Sequence, residues 1–356
     1  MGVRFSLPAP KYIMSETKKS PLLVILGPTA VGKSDLAIKI SKWIARKKIG
    51  GYKGAEIISA DSRQVYRSLN IGTGKITKKE MAGIKHHLLD VADPRQRFSV
   101  VDYVRLARKA EADIRVRGKL PIICGGTGFY ISALVDGISI HDAPPDRALR
   151  ETLKRKPAAK LLEMLAKIDL GRAKSMSSGS RNGDDRNPRR LIRAIEIALA
   201  ENKVRGLSVL VNQPVEIATS AMRSDKQPPR DNYDSLFIGL KVHRDILRSR
   251  IHDRLIRRLK QGMITEAKRL HIPPTKGAAL SWKRMDELGL EYRYLAYFLK
   301  NELTREELID RLSTKIWQYA KRQMTWFKRD ARITWFEPDQ KELIEDLVKT
   351  FLVNKQ

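Results

Sequence analysis

Cys124 is the only cysteine in 356 residues, so the chain closes no disulfide on itself and offers no paired-cysteine zinc site. That usage fits a reducing cytoplasm, the expected location. No apolar run approaches the roughly 18 residues a bilayer crossing needs, so no membrane partner is expected. Acid is short as well: 40 Asp and Glu stand against 70 Lys and Arg, a formal charge of +30. A lysine-rich solvated surface explains part of such an excess, but a polyanionic partner, nucleic acid first, explains its size better. The opening "MGVRFSLPAPKYIMSETKKS" lacks the apolar core of a signal peptide, and residues 1–20 read as a disordered leader in which Met14 is an alternative start.

What is present suffices for a large core. At 42% hydrophobic content the chain has the length of roughly two domains, or of one domain carrying an insertion. Leu22–Leu26 is a short apolar run that ends at glycine, and Ser34–Ile44 carries apolar residues at helical spacing. Between them Gly27-Pro-Thr-Ala-Val-Gly32-Lys33-Ser34 fits the phosphate-loop pattern G-x-x-x-x-G-K-[ST]. Chance produces such a match in roughly 1% of chains this long, and the strand-before, helix-after context makes accident rarer still. The glycines let backbone N–H groups turn inward, the helix N-terminus adds partial positive charge, Lys33 reaches terminal phosphates, and Ser34 offers a hydroxyl to Mg²⁺. By itself this reads as a nucleotide site.

Two further β-rich runs, Ala55–Ala60 and Leu120–Cys124, end at "DSRQVY" and "GGTG". Strands separated by helical patterns predict an α/β fold with a parallel sheet and its ligand loops at the carboxyl edge. On this reading residues 21–140 form the first part of the core and 141–205 a basic helical insertion. A linker spans 206–234, and the chain returns to the core with C-terminal helices over 235–350. The helical pattern of "DILRSRIHDRLIRRLKQGM" directs Ile246, Ile251, Leu255 and Leu259 to one face and spreads five arginines over the others.

Asp61 closes the second run. It is placed to order Mg²⁺, to act as a base, or simply to open a turn capped by Ser62. Thr127 follows glycines that suit either close approach to a ligand or a plain strand-to-helix turn. Arg193 and Arg254 read equally as solvated helix arginines, and Trp326 as core or as a base-stacking platform.

Five separated motifs, "GPTAVGKS", "ISADSRQVYRSLNIGTGK", "HHLLDVADPRQRFSVVDY", "GGTGFYISALVDG" and "KRQMTWFKR", together resemble the tRNA dimethylallyltransferase family, in its shorter bacterial form. The match covers about residues 22–140 and 186–336. The resemblance implies a P-loop NTPase-like core with an inserted helical domain. It also implies that a dimethylallyl group passes from dimethylallyl diphosphate to N6 of the adenosine at tRNA position 37, beside the anticodon. The loop then holds a leaving diphosphate through Gly27, Pro28, Thr29, Ala30, Val31, Gly32, Lys33 and Ser34, with Arg250 or Arg254 approaching it and Mg²⁺ reached by Ser34 through the diphosphate. Asp61 takes the base role, Thr127 is the second group at the reacting centre, and Lys33 stabilises the departing charge.

Asp61, Ser62, Arg63, Gln64, Thr127, Arg150, Arg189, Arg190, Arg193, Arg293, Lys321, Arg322, Gln323, Trp326 and Lys328 are implied to touch tRNA. "GLEYRY" departs from the family's pattern around Arg293. A monomer is expected. The alternatives are a prenyltransferase acting on free adenylate, a P-loop nucleoside or RNA kinase, and a non-enzymatic RNA-binding protein. The charge and the basic insertion favour a macromolecular acceptor.

Overall fold

Residues 19–137, 146–177, 184–210, 233–272 and 279–354 are described by a computed structural model of the chain. It divides into two units, residues 1–138 with 228–356 and residues 139–227. In the first, six strands make one sheet: β1 (Ser20–Leu26), β2 (Ala55–Ala60), β3 (His86–His87), β4 (Leu120–Gly125), β5 (Tyr233–Leu240) and β6 (Ile333–Phe336). All neighbours are parallel, in the order β3-β2-β4-β1-β5-β6. Leu22 to Leu26 are at most 1% exposed, the continuous apolar run of a strand covered on both faces.

Register places the site. Leu26 of β1 lies beside Gly125 of β4, which in turn lies beside Ala60 of β2, so the loops after these three strands leave the sheet at one level. The strand carrying Asp61 is therefore not the direct neighbour of β1, because β4 inserts between them. The helix Lys33–Lys47 starts from Gly32 in the left-handed region and turns Leu36, Ala37, Ile40 and Ile44 inward. Asp35 in its first turn and Arg46 and Lys47 in its last oppose the ends of the helix dipole.

The basic helix runs Arg244–Lys260, and its buried stripe is Leu247, Ile251, Leu255 and Leu259, spaced by four. Ile246, expected in that stripe, is 49% exposed, because one residue's rotation of about 100° carries it off the Leu247 row. Arg258, expected on an outer face, is buried: it donates to Gly72 O at 2.6 Å and pairs with Glu291 at 2.8 Å.

The second unit is helical, with Arg147–Leu153, Ala158–Ile168, Leu170–Ser177 and Pro188–Leu210. Its own core includes Leu153, Leu161, Leu165, Leu191 and Ile195. The last helix reaches Leu210 instead of stopping near 205, and β5 starts at Tyr233, so both ends of the expected linker are regular structure. Residues 211–232 between them, the leader up to residue 18, and 178–183 of the Gly/Ser/Asn-rich loop lie outside the described residues.

Candidate active site

The phosphate loop leaves β1 through Gly27, whose φ is 146°, and a Cβ there would stand 2.5 Å from Leu240 O. Only glycine fits. Ala30 also sits in the left-handed region at φ 64°, and Gly32, at φ 101°, turns the chain into its helix. Lys33 folds back so that Nζ donates to Pro28 O at 2.6 Å. Burial, with Arg254 nearby, lowers its pKa to about 8 against the opposing pull of Cys124 and Asp61.

Arg254 is the basic-helix residue that reaches this loop. Nη2 donates to Gly74 O at 3.0 Å and Nη1 lies 3.5 Å from Thr29 Oγ1. Gly74 sits in the left-handed region at φ 58°, which favours glycine, and a Cβ there would displace the Arg254 guanidinium from its place. Burial, reinforced by the charge of Arg258, pushes the Arg254 pKa down. Arg250 is exposed and does not line the cavity. Among the described residues neither Lys33 nor Arg254 has a carboxylate within ion-pair distance. Two desolvated cations without an anion of their own form an anion site in all but occupant.

Across the same cavity, of about 110 Å³, stands Asp61. Its Oδ1 accepts N–H bonds from Arg63 at 2.8 Å and Gln64 at 3.2 Å, so the turn-opening role is real. Oδ2 carries no hydrogen bond among the described residues and remains available to a proton. Ser62 N donates to Thr127 Oγ1 at 3.1 Å, and Thr127 N donates to Ala60 O at 3.0 Å, which ties the ends of β2 and β4 together. Having accepted from Ser62, the Thr127 hydroxyl keeps its own proton to donate. The phenol of Tyr319 faces the same cavity; burial first, then the Asp61 charge, raises it to about 12, so it is a neutral donor.

Several of these supports are invisible in sequence. Gln323, implied as a tRNA contact, is 7% exposed: Oε1 accepts from Thr29 N at 2.9 Å and Nε2 donates to Gly126 O at 2.8 Å. It clamps the phosphate loop to the β4 turn. Glu266 accepts from the N–H groups of Asn70, Ile71 and Gly72 at 3.0, 2.8 and 2.8 Å and from Tyr292 Oη at 2.7 Å. With Arg254 and Arg258 it fixes the "NIGTG" loop over the cavity. The only sequence signal for these residues is a polar side chain in an otherwise apolar helical stripe.

The other implied tRNA contacts divide into two groups. Arg150 forks onto Glu196 at 2.6 and 2.7 Å, and Arg193 approaches the same carboxylate at 3.3 Å; Glu196 is 3% exposed, so these arginines satisfy a buried acid. Arg293 pairs with Asp286 at 2.7 Å. Arg189, Arg190, Lys321, Arg322 and Lys328 are exposed. Trp326 is 36% exposed and meets Phe129, 44% exposed, edge-on with ring centroids 6.5 Å apart. Arg63 and Gln64 follow Asp61 and are half-buried, and of the two Gln64 lines the cavity.

Among the described residues no group of three or more His, Cys, Asp or Glu could hold a metal by itself. Ser34 does line the cavity with Asp61. That donor set fits a magnesium ion brought in on phosphate oxygens and met by one hydroxyl, the usual habit of this hard, reluctantly dehydrated cation.

A family model described as IPP transferase matches residues 64–330, and one described as isopentenyl transferase matches 20–96. A tRNA dimethylallyltransferase 2 from Trichlorobacter lovleyi is 39% identical over 319 residues, 90% of this chain and 91% of its own length. A tRNA dimethylallyltransferase 1 from Hahella chejuensis is 35% identical over 335 residues, 93% of this chain and 96% of its own. The full-length tRNA isopentenylpyrophosphate transferase from Bacillus halodurans is similar in structure at a TM-score of 0.62 and 31% identity, covering 95% of this chain and 98% of that one. A eukaryotic dimethylallyltransferase acting on tRNA shares the fold at a TM-score of 0.68 and 23% identity. On these matches, which span nearly the whole chain, this chain belongs to the tRNA dimethylallyltransferase family.

Proposed function

We propose that the protein transfers a dimethylallyl group from dimethylallyl diphosphate to N6 of adenosine 37 in tRNA, releasing diphosphate. One observation carries the reading: two half-buried cations that among the described residues pair with no carboxylate, Lys33 and Arg254, share a cavity with Asp61, whose Oδ2 is open. The cations suit the leaving group and the carboxylate suits the acceptor.

In this scheme Lys33 leaves Pro28 O for the diphosphate and, with the loop N–H groups and Arg254, stabilises the charge that develops as the C1–O bond breaks. The N6 lone pair forms the new N–C1 bond, and the N6 proton passes to Asp61 Oδ2. Thr127, held by Ser62 N, and the neutral Tyr319 phenol orient the acceptor. Ser34 would hold a magnesium ion on the diphosphate, and that ion would supply further charge neutralisation to the leaving group. The adenine reaches the cavity only if it is extruded from the anticodon loop, and Lys321, Arg322, Lys328 and Trp326 are exposed groups of the core suited to grip that loop, while Arg189 and Arg190 offer the insertion's own exposed charge to tRNA. The enzyme works as a monomer in the cytoplasm.

The test is incubation with unmodified tRNA, Mg²⁺ and isotopically labelled dimethylallyl diphosphate, followed by nuclease digestion and mass spectrometry. Labelled N6-prenyladenosine is the expected product. A folded, tRNA-binding preparation that yields none, or that instead hydrolyses ATP in a Lys33-dependent manner, overturns the reading.

A further inference from the structure

The two histidines of β3 do different work. Neighbouring residues of a strand point to opposite faces, and His87 Nε2 meets the buried Glu56 at 2.7 Å. His86 is paired in register with Ile57 and lines the active-site cavity with Ile57, Ser59 and Ser34. Its Nδ1 stands 2.9 Å from Ile84 O. A carbonyl can only accept, so Nδ1 carries the proton and Nε2 is a bare lone pair. That Nε2 is buried and has no hydrogen-bond partner among the described residues. Burial, then the charge of His87, pulls the imidazole below its ordinary pKa against the Ile84 bond, so it is neutral at neutral pH.

A buried acceptor without a donor costs on the order of 1–3 kcal/mol, which a bound donor recovers. Phosphate oxygens are themselves acceptors and cannot fill this role. The donor that arrives with a diphosphate is the water on its divalent cation, since magnesium keeps several of its waters when it binds through phosphates. Ser34, the hydroxyl placed for that cation, lines the same cavity, and among the described residues no cluster of three or more acidic or other metal-ligating side chains competes for the task. We infer that His86 is a positioning residue whose Nε2 accepts a hydrogen bond from a water of the diphosphate-bound divalent cation and so fixes the orientation of the metal–diphosphate unit. This rests on the proposed diphosphate site.

The test uses Mn²⁺ as the probe, titrated by electron paramagnetic resonance into full-length protein with saturating inorganic diphosphate. Metal-free diphosphate affinity is measured alongside by calorimetry. His86→Asn keeps a donor for Ile84 O but removes the Nε2 acceptor; His86→Gln places an acceptor near the Nε2 position; His86→Leu removes both. Outer partners of metal sites are typically worth about 10-fold or more in affinity. The expected result is about a 10-fold weaker Mn²⁺ affinity in the Asn and Leu variants, recovery of most of it in the Gln variant, and metal-free diphosphate binding within about 2-fold throughout. Equal loss of diphosphate binding with and without metal makes His86 a structural support only and overturns the inference. So does unchanged Mn²⁺ affinity in His86→Asn. Failure of the unaltered protein to bind diphosphate at all strikes the diphosphate site itself.

Discussion

Glu56 and Asp61 stand at the two ends of β2 and have opposite surroundings. Glu56 is 3% exposed and receives Lys119 at 2.8 Å, His87 at 2.7 Å and Arg117 at 2.6 Å. Burial alone would raise its pKa; these three donors overcome that and hold it at about 2. Asp61 faces Lys33 and Arg254 across a cavity without contacting either, and only its Oδ1 is bonded. The same contrast separates Arg150, forked onto Glu196, from Arg254, which among the described residues hydrogen-bonds only a carbonyl and a hydroxyl. A buried charge balanced by its own chain holds structure. A half-buried charge left unbalanced awaits a ligand.

Breaking the open end should cost activity and little stability. Asp61→Asn preserves the acceptor for the Arg63 and Gln64 N–H groups but removes the base, so turnover should fall by about 10²–10⁴-fold with tRNA affinity and unfolding midpoint nearly unchanged. Full turnover in single-cycle assays would remove Asp61 from that role. Lys33→Met should weaken the transition state by about 10²–10³-fold in kcat. The unaltered protein adds a pH signature. The Lys33 pKa, about 8, lies below its ordinary value, so diphosphate binds best with the amine protonated and its affinity should decline as pH rises through about 8. Calorimetry across pH 7–9.5 tests this, and Lys33→Met should flatten the profile.

Breaking the balanced end should do the reverse. Glu56→Gln leaves the Arg117 and Lys119 cations and the His87 imidazole facing a neutral amide and should destabilise the fold by about 2 kcal/mol while kcat stays near that of the unaltered protein. Because the folded pKa of Glu56 is depressed, its contribution is complete above about pH 4.5 and is lost as pH falls towards about 2. The gap in unfolding midpoint between the variant and the unaltered protein should therefore close over that window. Persistence of the whole gap at the acid end would assign the stabilisation to packing instead of charge.

The limits of the sequence follow the distance over which each feature is encoded. The phosphate loop, β2 and the turn before Thr127 were legible because each is a short run whose glycines, hydroxyls and apolar residues act on near neighbours in the chain. Ile246 was misplaced because its helical stripe, read by spacing alone, starts equally well one residue earlier, and only packing selects Leu247. Gln323 was assigned to tRNA from its motif, whereas its amide meets Thr29 and Gly126, partners that nothing local announces. Arg150 was assigned to tRNA from the resemblance, whereas it forks onto Glu196, which reaches it only when two helices of the insertion meet; Arg193 meets the same carboxylate from three residues away on its own helix.

By itself the sequence determined that a phosphate cradle ends one strand, that an aspartate ends another, and that a basic chain of this family carries both. Backbone conformation and periodicity are local physics and survive in a one-dimensional string. The tertiary structure decided that β4 separates those strands and that Arg254 and not Arg250 reaches the loop. It also decided which carboxylates are balanced and which imidazole nitrogen is left bare. Those outcomes depend on desolvation and on partners distant in the chain, and both arise only when the elements pack.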